Sequence, residues 1–129
     1  MRKFIPIVFL LCIATLLFSA CGKATDPAAK AVEDYLTSLV KKDANTLSVL
    51  SCADWESNAL LELDSLQAVT TRLENLACTV TSTDGTITQV NCQGTIIATY
   101  NSEDQELDLS VRTYQVVEQD GEYLVCGYK

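Results

Sequence analysis

Histidine is absent from this 129-residue chain. Its absence removes Ser-His-Asp triads, Cys-His nucleophile pairs and histidine metal sites from consideration. Basic residues are scarce as well, with 9 Lys and Arg against 17 Asp and Glu. A surface of that sign repels phosphate backbones and anionic headgroups, which argues against nucleic acid as a partner. No glycine-rich phosphate loop, calcium loop or C-x-x-C pair occurs, and neither does an internal repeat or low-complexity tract. A chain of this length has room for one domain.

What is present begins at the first residue. Met1-Arg2-Lys3 is followed by an apolar run from Phe4 to Phe18 and then by the small residues Ser19, Ala20, Cys21 and Gly22. A positive start, an apolar stretch of about 7–15 residues and a small-residue cleavage site make a secretory signal peptide. A membrane-spanning helix needs roughly 20 apolar residues, more than this run supplies. Leu17-Phe18-Ser19-Ala20-Cys21 resembles the lipobox of bacterial lipoproteins, with Phe18 where that family usually carries an aliphatic residue. The resemblance implies cleavage before Cys21 and acylation of Cys21, leaving residues 1–20 as leader and 21–26 as lipidated N-terminus and short tether. It also implies an exported protein held to a membrane by acyl chains, each buried CH₂ contributing about 0.8 kcal/mol. In a host with two membranes, Gly22 in place of aspartate implies the outer one. Arg2 and Lys3 leave with the leader, so seven of the nine basic residues face all 17 acidic ones and the mature net charge is −10.

Cys12 lies in the leader and Cys21 takes the lipid. Cys52, Cys78, Cys92 and Cys126 remain, an even number in an exported chain, and four cysteines permit three pairings. Asp84-Gly85 is a hairpin signal. Val80 and Val90 are equidistant from Gly85, as are Cys78 and Cys92. A three-residue loop with Gly85 in the left-handed position pairs Cys78 with Cys92 and leaves Cys52 for Cys126. A four-cysteine zinc site is the alternative, but such sites bring their ligands in close pairs, and no two of these cysteines are closer than Cys78 and Cys92.

Residues 27–129 read as a single α+β domain. Asp26 is placed to cap a helix with Pro27 in its first turn. Ala31, Val32, Tyr35, Leu36, Leu39 and Val40 form an apolar helical face, with Lys41 and Lys42 at its end. Asp43 can cap a second short helix carrying Ala44, Leu47 and Leu50, and a third starts near Asp54 with Ala59, Leu60, Leu63 and Leu66 on one side. Beyond Leu73, alternation and β-branched residues predict strands over Leu76–Ser82, Ile87–Tyr100, Leu107–Glu118 and Tyr123–Tyr128. Helices followed by about four antiparallel strands imply helices packed on one face of an antiparallel sheet. Tyr35-Leu36-x-x-Leu39-Val40-x-Lys42-Asp43-Ala44-x-x-Leu47 and Gly121-Glu122-Tyr123-Leu124-Val125-Cys126-Gly127 resemble the first helical step and last strand of the nuclear-transport-factor-two-like (cystatin-like) superfamily. The resemblance implies a cone-like sheet, which in some members houses isomerase or dehydratase sites.

Carboxylates and tyrosines are the remaining chemistry. Asp108, Ser110, Arg112 and Tyr114 alternate, sharing one strand face opposite Leu107, Leu109 and Val111. The apolar row is expected to meet the helices and the polar row to face water, so no catalytic residue is assigned. Trp55, Tyr100 and Tyr114 are either core or the lining of a small apolar pocket. No cofactor or metal is implied. The expected role is a non-catalytic binding or interaction module at the cell envelope. A small-molecule or degenerate enzyme-like cone and a passive envelope component are the alternatives.

Overall fold

The computed structural model describes residues 25–129; the leader, the lipobox and Cys21 lie outside them. Helix α1 (Pro27–Lys41) starts where its signals place it. Asp26 accepts from the Ala28 N–H at 2.8 Å, satisfying one of the donors that a helix start leaves open. Lys42 closes the helix in the left-handed conformation (φ 59°), and Asp43 caps α2 (Ala44–Val49) by accepting from the Thr46 N–H at 3.1 Å. Helix α3 (Ala53–Ser65) follows. Ala28, Val32, Tyr35, Leu36 and Leu39 are almost completely buried, each larger one contributing about 2 kcal/mol by leaving water.

The strands are β1 (Thr70–Asp84), β2 (Ile87–Tyr100), β3 (Glu103–Asp108), β4 (Thr113–Gln119) and β5 (Glu122–Tyr128). They form one antiparallel sheet in the order β1-β2-β4-β5, with β3 also on β2. β4 pairs with the first part of β2 (Ile87–Asn91) and β3 with its last part (Thr95–Tyr100), so the two share one lane. The fold is thus three helices against a curved α+β sheet, as expected, with five strands rather than about four.

The extra strand arises because the long strand expected over Leu107–Glu118 is broken by a 3₁₀ turn at Leu109–Val111. Asp108 caps that turn, accepting from the Ser110 N–H at 2.8 Å. Asn91 of β2 holds it from the side, donating to the Arg112 carbonyl at 2.8 Å. The break resets the alternation. Leu109 is fully buried, but Leu107 and Val111 are exposed, whereas Tyr114 and Val116 after the turn are fully buried. The expected polar outer face of Asp108, Ser110, Arg112 and Tyr114 therefore does not exist as a single row.

Both disulfides form as expected, Cys78 with Cys92 and Cys52 with Cys126. The hairpin loop differs in detail. Asp84 pairs with Ile87, leaving a two-residue loop of Gly85 and Thr86. A bulge between Val80 and Ser82 then shifts the register by one residue, restoring the Val80–Val90 and Cys78–Cys92 pairs. A second irregularity between Glu74 and Ala77 lies opposite Gly94, which has φ +110°.

Closure of the 74-residue separation between Cys52 and Cys126 restrains the unfolded chain by about 4 kcal/mol, against about 3 kcal/mol for the short hairpin bridge. Urea unfolding of the two double alanine variants should therefore show the larger loss for Cys52/Cys126. An equal or reversed order would contradict this account.

Candidate functional site

The interior of the cone is filled by side chains. Tyr35 of α1 and Tyr114 of β4 are fully buried, with ring centroids 6.4 Å apart. Tyr114 meets Tyr128 of β5 edge-on at 5.5 Å. Tyr128 in turn meets Trp55 of α3, also at 5.5 Å. Offset and edge-on contacts of this kind suit the ring quadrupoles and contribute about 0.5–1.5 kcal/mol each beyond burial. The Trp55 indole N–H donates to the Tyr35 hydroxyl at 3.1 Å.

At the outer end of this stack sit two charges. Glu62 lies two helical turns beyond Trp55 on α3, and therefore on the same helix face. Its Oε1 accepts from Arg112 Nη1 at 2.7 Å and from the Tyr128 hydroxyl at 3.4 Å. The Arg112 guanidinium lies 4.1 Å over the Tyr128 ring, a cation–π arrangement. Both charged side chains are about five-sixths buried, at 17% exposure each. Above them opens a cleft of about 290 Å³, walled by Leu39, Leu66, Ile96, Ala98 and Leu107 and edged by Ser65, Gln105 and Glu106.

Trp55 and Tyr114 both pack against Tyr128 in the interior and do not line this cleft, while Tyr100 stands apart at the end of β2 with 60% of its surface exposed. Arg112, expected in water, turns inward because the 3₁₀ turn reorients the chain just before it. Sequence reasoning passed over Tyr35, Glu62 and Tyr128 as site residues. The seven-residue spacing of Trp55 and Glu62 was the available signal for Glu62. Nothing local marks Arg112 as its partner, 50 residues away.

The titration behaviour follows from burial. Desolvation pushes Tyr114 up to about 12, against a partial lowering by Arg112. Burial likewise raises Tyr35 well above the usual phenol range, and raises Tyr128 with help from the Glu62 charge. Burial alone would lower Arg112, but the hydrogen-bonded Glu62 carboxylate outweighs it and holds the guanidinium above its ordinary value. At neutral pH the site therefore holds neutral phenols and one engaged ion pair. Tyr114 Oη and Glu62 Oε2 are buried without a hydrogen-bond partner among the described residues.

Tyr114→Phe removes an unpartnered hydroxyl and should change stability by less than about 1 kcal/mol. Tyr35→Phe strips the Trp55 N–H of its acceptor and should cost about 1–3 kcal/mol; urea melts of the pair decide it, and equal losses would refute the assignment. Raised tyrosine values also set an alkaline limit. The unfolded chain releases these protons near the ordinary value of 10.0 while the native state keeps them. Their stabilising contribution is complete below that value and is lost as pH rises above it, by about 1.4 kcal/mol per unit for each tyrosine. Thermal melts from neutral pH upward should show Tm falling above pH 10, with the tyrosinate absorbance of the buried Tyr35 and Tyr114, read as the part lost in a Tyr35→Phe/Tyr114→Phe variant, appearing together with unfolding.

No protein-family model and no curated protein matches the chain. Solved structures do match it. Aln2 from a Streptomyces species aligns with TM-score 0.57 at 10% identity, over 79% of this chain and 85% of that one. A putative ketosteroid isomerase from Shewanella frigidimarina aligns with TM-score 0.55 at 15% identity, over 80% and 93%. A SEC-C motif containing protein from Rhodopseudomonas palustris aligns with TM-score 0.52 at 9% identity, over 77% and 74%. At these identities the likeness is one of fold: helices packed against a curved antiparallel sheet, consistent with the cone that the sequence resemblance implies.

Proposed function

We propose that this chain is a lipid-anchored, non-catalytic binding domain displayed outside the cytoplasm, with the cleft over Glu62 and Arg112 as its docking point. The observation that carries this reading is the engagement of the cleft's charges. Glu62 is held by Arg112 and Tyr128, and the cone behind it is packed with aromatic side chains. A general base needs a free carboxylate within reach of a substrate proton; Oε1 of this one is committed to a cation and a phenol, and its unpartnered Oε2 is buried. The apolar walls with a few convergent polar groups suit binding instead. The anchor rests on the leader and on Cys21 in the sequence.

An enzyme-like cone is the second reading, favoured by a carboxylate at the cone mouth in a fold shared with a putative ketosteroid isomerase. Fold alone does not carry activity.

Three measurements test the proposal. Cys21→Ser should block acylation and leave the protein unprocessed, or release it into the aqueous phase after cleavage elsewhere; identical partitioning and processing, with no acyl mass on the parent, would remove the anchor. The apolar probe 1-anilinonaphthalene-8-sulfonate should bind saturably and lose affinity in Ala98→Trp, which fills the cleft. Equal binding by both proteins would place the probe elsewhere and remove the cleft as docking point. The parent should not isomerise a β,γ-unsaturated ketosteroid, and turnover lost in Glu62→Gln would make the chain an enzyme.

A further inference from the structure

A second concavity of about 330 Å³ lies at the opposite end of the domain. It is lined by Pro27 and Ala31 of α1, Val49 and Leu50 at the end of α2, and Tyr123 and Leu124 of β5. Val49 is 68% exposed, a large apolar side chain in water with no partner among the described residues on its outer side. Pro27 is the first residue of α1, so the chain enters the fold at the rim of this groove.

The tether is short. Five steps of chain separate Cys21 from Asp26, a reach of at most about 18 Å. A domain held that closely brings to the bilayer the surface nearest its own entry point. That surface is the groove. We propose that, given the acyl anchor on Cys21, the groove between α1, α2 and β5 rests on the lipid surface and the Glu62–Arg112 cleft opens away from it.

Two elements support the opposed orientation independently. The groove takes residues from the first two turns of α1 and the cleft takes Leu39 from its last turn, about 12 Å further along the axis from Ala31. On β5 the groove uses Tyr123 and Leu124, while Tyr128 at the other end supports the ion pair under the cleft. Around the groove, Lys30 is paired with Asp34, and Glu122 adds a further negative charge. That balance suits zwitterionic headgroups better than anionic ones. The contact is small, and it is effective because the anchor makes it intramolecular.

The test uses the acylated protein on phosphatidylcholine–phosphatidylethanolamine nanodiscs carrying a gadolinium-chelate headgroup, with amide signals read by NMR. Ala31, Val49, Leu50 and Leu124 should relax several-fold faster than Gln105, Leu107 and Arg112. Val49→Asp, a change at an exposed position, should level that difference while flotation with vesicles persists. A uniform or reversed profile in the floating parent protein overturns the docking while leaving the anchor intact. Failure of the parent to float overturns the anchor, and the docking with it. Concentration-dependent loss of the groove signals in lipid-free protein assigns the groove to a second copy and also overturns the proposal.

Discussion

The architecture depends on one close approach between two backbones. A Cβ placed on Gly94 would lie 2.6 Å from the Glu74 carbonyl oxygen and 2.8 Å from that of Asn75, a separation no side chain tolerates. Asn75 itself sits at φ 55°. At this point the β1–β2 ladder slips register, and bulges of this kind bend and twist a sheet. The bend directs the outer halves of β1 and β2, with β3, past the ends of α1 and α3. Ala98 and Leu107 on that outer portion wall the cleft. A flat sheet would leave Leu39 and Leu66 facing water.

A second departure from regularity governs the polar interior. The 3₁₀ turn at Leu109–Val111 lets one lane of the sheet bury Leu109 and then bring Arg112 to Glu62. Ion pairs buried to this degree contribute little net stability, because desolvation offsets their attraction. What the pair supplies is position. It ties α3 to the start of β4, and through the Tyr128 ring and hydroxyl it ties both to β5. Removing either partner would strand a charge, so the three elements are held as a unit.

The parts legible in the sequence are those decided within a few residues. Asp26-Pro27, the Lys42-Asp43 step and the apolar stripe of α1 act locally, and each is where its signals put it. The Cys78–Cys92 pair was also readable, although by a loop that is one residue too long; the bulge between Val80 and Ser82 makes up the difference, so both counts reach the same pairing. The break at Leu109 was not readable. Leu107, Leu109 and Val111 alternate just as a strand would, and the Asn91 side chain that holds the turn comes from another strand. Trp55 and Tyr114 could be suspected of lining one place as aromatics, but Tyr100 carries the same local signal and lies outside. Only the three-dimensional course of β2 separates them.

The Cys52–Cys126 bridge also divides the molecule mechanically. Residues 52–126 form a covalent ring, and the C-terminus is stitched to β4 by paired Thr113–Lys129 hydrogen bonds of 2.9 and 3.0 Å. Helices α1 and α2 lie ahead of the ring. A load applied at the N-terminus can therefore draw out only the residues before Cys52, roughly 90 Å of chain from Asp26 onward. At that extension the tension meets a sulfur–sulfur bond instead of the sheet ladder. An anchored domain so built would stretch by a bounded amount under shear, shedding its first two helices while the strands stay joined.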